Sequence, residues 1–99
     1  MDVRQMTIDE FKATLSNAEP PPVSAALRAL WFDARGDWTR AHTIAQDVDD
    51  ATAAWVHAYL HRKEGDAGNA AYWYERAGQD VAHDSLDAEW ERIARSLLA

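Results

Sequence analysis

One pattern of small residues occurs twice in this chain and restricts its fold more than any other feature. Displacing the sequence by 29 residues superimposes Ala29, Gly36, Asp37 and Ala41 on Ala58, Gly65, Asp66 and Ala70, so Ala-x6-Gly-Asp-x3-Ala is repeated. Each element of the pattern has a physical reason. Glycine enters the left-handed backbone region that ends a helix. The following aspartate accepts from the free N–H groups of the next helix, and alanines let the two helices cross closely. The unit is therefore a helix, a tight turn and a helix, a hairpin whose open face needs a neighbour to cover it. A length of 99 residues leaves room for one such domain, 1–99, and for no second one.

The remaining punctuation predicts six helices and no strand. Thr7 and Glu10 form a capping box ahead of Ile8, Phe11 and Leu15, giving an N-terminal helix over 7–18. Pro20, Pro21 and Pro22 are a stiff connector, the last of them suited to the first turn of a helix. A first hairpin covers 23–48 and a second 50–78, with Asp49 or Asp50 capping its first helix. A C-terminal helix over 84–98 opens at Asp84 or Ser85. The expected core is Phe11, Leu15, Leu27, Trp31, Trp38, Ile44, Trp55, Tyr74, Trp90, Ile93 and Leu97. The architecture expected is all-α: a right-handed stack of antiparallel hairpins, with the last helix over the remaining open face.

Composition narrows the functional classes. The chain is 47% hydrophobic and holds five Trp, three Tyr and two Phe, enough bulky apolar surface for a core. Seventeen acidic against ten basic residues leave a net charge of −7, which repels phosphates and anionic lipids; neither nucleic acid nor membrane is an expected partner. No apolar run approaches the ~20 residues needed to cross a bilayer, and residues 1–5 lack the apolar stretch of a secretory leader. With no cysteine present, disulfides, thiolate metal sites and cysteine nucleophiles are excluded. The expected location is the cytoplasm.

The stretch Ala54 to Ala77, AWVHAYLHRKEGDAGNAAYWYERA, resembles a tetratricopeptide repeat or its Sel-type relative. Gly65, Ala70, Tyr74 and Ala77 stand where that family places Gly, Ala, an aromatic and Ala. The likeness extends over residues 23 to 78 as two repeats, the second better matched. These units are shorter than the family's usual length of about 34 residues, and no proline closes them. The chain also resembles a group of short bacterial proteins. The tetratricopeptide resemblance implies a fold and a habit of binding proteins or peptides, without naming a ligand. It also implies that Trp55 and Tyr59 face a concave groove, with Arg62 one turn further along. Read from periodicity alone, Ala51, Trp55 and Tyr59 are equally the core stripe of an amphipathic helix. Trp73 is a candidate for partner binding or self-association, so a homo-oligomer is one expected form.

A second constellation is His57, His61 and Glu64, which share one helical side opposite Trp55. Two imidazoles four residues apart and a carboxylate can hold a transition metal. The Glu directly after the first His, which marks zinc proteases, is missing. His57 aligns with Arg28 and His61 with Phe32 of the first repeat, so His61 replaces an apolar packing residue; a hydrogen-bonded packing histidine is the competing explanation. His42 could approach the same helix and is assigned no role. Asp47, Asp49 and Asp50 are explained by capping and solvation, and Arg35-Gly36-Asp37 by the stop and start of two helices. No nucleophile elbow or phosphate-cradling loop is present. The reading is a small non-catalytic adaptor or scaffold without a cofactor. The alternative is a metal or small-ligand site around His57 and His61.

Overall fold

The computed structural model describes residues 6–99. Residues 1–5, read above for the absence of a leader segment, lie outside this description. Among the described residues there are six α-helices, one short 3-10 turn and no strand.

Helix α1, Ile8–Ala13, starts with the expected capping box: Thr7 Oγ1 accepts from the Glu10 N–H at 3.1 Å and Glu10 Oε1 from the Thr7 N–H at 2.9 Å. It tightens into a 3-10 turn, Thr14–Ser16, and ends before the expected residue 18. The Arg35 guanidinium donates to the carbonyls of Leu15 and Asn17, taking acceptors that a continuing helix would have used. Helix α2, Ala25–Ala34, begins two residues later than expected. Ser24 in extended conformation is the cap, its hydroxyl accepting from the Leu27 N–H at 3.3 Å, so Pro22 lies outside the helix. Helices α3 (Trp38–Gln46), α4 (Ala51–Lys63) and α5 (Ala67–Ala77) follow, capped by Asp37, Asp50 and Asp66. Ser85 caps α6, Leu86–Leu98.

The repeated sequence pattern folds into a repeated structure. Gly36 and Gly65 have φ of +83° and +87°. After each glycine the aspartate N–H reaches back into the preceding helix, Asp37 to the Phe32 carbonyl and Asp66 to the His61 carbonyl, both at 2.9 Å. The glycine N–H groups correspond as well, Gly36 donating to the Asp33 carbonyl and Gly65 to the Arg62 carbonyl.

α2 packs against α3 and α4 against α5, as hairpins. α4 is the hub, meeting α2, α3, α5 and α6, which explains why its buried residues run almost continuously from Ala53 to His61 and form no single stripe. The main core gathers Phe11, Leu27, Leu30, Trp31, Leu60 and Ile93. A smaller one joins Ala58 and Ala70 to Tyr74, and Trp55 packs against both. Leu15, Trp38, Ile44, Trp55 and Leu97, expected inside, are partly buried at the margin. α6 returns across α1, α2 and α4. Its Trp90 stacks on Phe11 with ring centroids 5.9 Å apart and donates to the Leu30 carbonyl at 3.0 Å. The radius of gyration, 12.5 Å, is that of a compact chain of this length. No helix among the described residues is long and apolar enough to cross a membrane.

Candidate functional site

α4 divides the chemistry of the molecule between two sides. On the side facing α2 and α6, two carboxylates are buried, and each accepts from one tyrosine and one cation. Asp33 takes the Tyr59 hydroxyl at 2.9 Å and Lys63 Nζ at 2.9 Å. Glu89, with no exposed surface, takes Arg62 Nη1 at 2.8 Å and the Tyr74 hydroxyl. Burial, then the adjoining carboxylate, pushes both phenols well above their ordinary range. The hydrogen bond to Glu89 raises the Arg62 guanidinium. All members carry matched partners, the condition under which buried charge is tolerated.

These contacts decide the position of the groove residues suggested by the family resemblance. Tyr59 is 2% exposed and bonded to Asp33, so most of its surface belongs to the core. Arg62 is held by Glu89 and by the Asp84 carbonyl. Trp55 is half-buried. The returning α6 occupies the space above α2 and α4, leaving a 450 Å³ cleft walled by Lys12, Asp33, Tyr59, Lys63 and Trp90.

On the opposite side of α4, three histidines converge. His42 comes from α3, and His57 and His61 from successive turns of α4; one ring nitrogen from each lies within 4.8 Å of the others. His57 Nε2 and His42 Nε2 are 3.0 Å apart, close enough to share a proton. The rings are fixed by their neighbours. Trp38 stacks on His42 at 4.9 Å and 7°, and Trp73 on His57 at 3.9 Å and 16°. His61 Nδ1 lies 2.6 Å from Glu64 Oε1 and donates to it. Desolvation, reinforced by His42 and His61, lowers His57 to about 4. His42 is lowered by the same two causes, burial and then the His61 charge, against a smaller opposing pull from Glu64. His57 is therefore a neutral imidazole at ordinary pH. Its Nδ1 is buried without a hydrogen-bond partner among the described residues.

No protein-family model, curated protein or solved structure matches this chain significantly. Its chemistry must be read from its own side chains.

Of the metal-ligand set suggested by spacing, His57 and His61 do come together, but with His42 as their third member. Glu64 instead holds the far nitrogen of His61. A further small group, His61, Glu64 and Asp66, lies at the end of α4. His42 was visible only as a histidine next to small residues on a neighbouring helix. The buried Glu89 lies in a polar stretch and carries no local signal, whereas Asp33 follows Leu30, Trp31 and Phe32 and is marked as a carboxylate inside an apolar stretch.

The third feature is the outer face of α5. Tyr72 is 52% exposed and Trp73 half-buried, with Arg76 over both rings at 5.7 and 5.3 Å from their centroids. Beside them opens a 310 Å³ cleft lined by Val48, Asp49, Asp50, Ala54, Trp73 and Arg76.

Proposed function

We propose that this protein is a small non-catalytic helical module of the tetratricopeptide kind that binds a protein or peptide through the outer face of α5. One observation carries the reading. α5 packs extensively on α4 alone, so Tyr72 and Arg76 lie exposed on its outer side, and Trp73, stacked on His57 at the edge of α4, completes a group of two aromatics and a guanidinium in mutual contact. Tyr, Trp and Arg are the residues on which binding energy concentrates at interfaces. The adjoining cleft is lined by the apolar Ala54 and Trp73 and by the acidic Asp49 and Asp50, with Asp49 3.7 Å from Arg76. A partner segment with one apolar anchor beside lysine or arginine fits that combination, and the net charge of −7 steers a basic segment toward it. Self-association through Tyr72 and Trp73 would be another form of the same activity. A cytoplasmic setting belongs to this proposal and rests on the cysteine-free sequence, which suits a reducing compartment.

The test is selection from a displayed peptide library, with affinities of synthetic peptides measured by fluorescence anisotropy. Enriched peptides should share the apolar anchor and its basic neighbour. Tyr72→Ala combined with Arg76→Ala should weaken them by roughly 1–2 kcal/mol or more with the helical circular dichroism intact. Absence of enrichment, or equal binding by the double variant, would remove this face as the binding surface.

A further inference from the structure

The histidine cluster has properties that hairpin packing does not require. We propose that His42, His57 and His61 bind one divalent late transition-metal ion, zinc(II) in the first instance, at the junction of the two hairpins. The proposal needs no partner on α5 and stands apart from the peptide-binding reading.

The geometry is close to that of a first coordination shell. Two imidazole nitrogens on a tetrahedral zinc ion, each about 2.0–2.1 Å from the metal, lie about 3.3 Å from each other. His42 Nε2 and His57 Nε2 are 3.0 Å apart, so a small opening of the pair would seat the ion. His61 is oriented by Glu64: with Nδ1 donating to the carboxylate, the neutral ring presents an unprotonated Nε2 as its remaining nitrogen. That carboxylate-to-histidine arrangement fixes the tautomer and raises the basicity of metal-bound imidazoles. With Nε2 on the ion, the neutral His57 ring carries its proton on Nδ1, the buried nitrogen that has no partner among the described residues. Trp38 and Trp73 hold the planes of His42 and His57 by stacking and restrict their motion.

The donor set also selects the ion. Three imidazoles without a carboxylate or thiolate suit zinc, copper or nickel and disfavour magnesium and calcium, which take oxygen ligands. Three protein ligands leave one position of a tetrahedral ion for water or an external donor. Bound there, the ion would link α3 of the first hairpin to α4 of the second.

The experiment is calorimetric titration of the untagged, EDTA-stripped chain with zinc chloride, paralleled by cobalt(II) absorption and thermal melts. One ion per chain, an intense visible band of tetrahedral cobalt, and a melting temperature raised by roughly 10 °C at 100-fold excess over Kd are expected. His42→Ala alters a half-buried residue and should weaken binding by at least about tenfold while its apo form remains helical. His83→Ala, on an exposed residue outside the cluster, should bind as the parent does. As a positioning residue, Glu64 should show a loss of roughly 10–100-fold in Glu64→Gln, with the cobalt band retained at saturation. Failure of the parent chain to bind zinc, or His42→Ala binding as tightly as the parent, would overturn the proposal.

Discussion

Tyr59, on the first helix of the second hairpin, donates its hydroxyl to Asp33 on the first helix of the first hairpin at 2.9 Å. The bond is buried at both ends and ties the two repeats together where their inner helices meet. Tyr59→Phe would leave Asp33 with Lys63 as its remaining side-chain donor and should cost about 1–3 kcal/mol. Urea unfolding with an unchanged m-value checks this; a loss below a few tenths would show that water replaces the hydroxyl.

Glu89 accepts from both Arg62 and Tyr74 and is fully buried. Glu89→Ala leaves the buried Tyr74 hydroxyl without its acceptor and the partly exposed Arg62 without its carboxylate, and should destabilise by about 1–3 kcal/mol. Glu89→Gln, which keeps the shape and one acceptor oxygen, should cost less. Equal losses for the two variants in chemical unfolding would mean that charge, and not packing, sets the penalty.

Acid should weaken the metal-free protein through the histidine cluster. His57 lies at about 4 in the folded chain against an ordinary value of 6.5. The group facing it from α3 is His42, its own helix contributes His61 and Glu64, and α5 places Arg76 over the Trp73 ring that covers it. A lowered folded-state value favours the neutral form in the fold, so this stabilisation is complete above pH 6.5 and is lost as pH falls toward 4. The loss is on the order of 3 kcal/mol. His57→Phe keeps a planar ring under Trp73 but cannot titrate, and its stability in EDTA should fall less over that interval. Parallel pH profiles for parent and variant would refute this.

Two glycines should respond to alanine with opposite signs. Gly65 has φ of +87° and an added Cβ meets nothing within 4 Å, so Gly65→Ala should cost about 1–2 kcal/mol from backbone conformation alone. Gly68 lies in the first turn of α5, where a Cβ would be 4.0 Å from Asp66 Oδ1. Gly68→Ala should stabilise by roughly 0.5–1 kcal/mol. Thermal melts of the two variants moving in the same direction would contradict the assignment of the turn.

Helix ends were legible from the sequence because their causes are local. Thr7 with Glu10, Asp37 and Asp66 three residues before the N–H groups they accept from, and glycines at 36, 65 and 78 all act within one turn of the chain. For that reason the hairpins and their repeat could be placed without coordinates. One boundary depends on a distant group: Arg35 takes the Leu15 and Asn17 carbonyls from 20 and 18 residues away, where α1 ends early.

The functional sites depended on distances that no spacing along the chain encodes. Tyr59 looked as suited to a groove as to a core until α6 returned across α2 and α4 and Asp33 took its hydroxyl. His57 and His61 could be paired from their four-residue interval, but His42 joins them across a separate helix. The sequence by itself determined where helices start, stop and turn, since backbone capping and glycine conformation are short-range. Only the tertiary structure decided which polar side chains were buried together, because α4 is enclosed by four helices and its burial depends on where all of them pack.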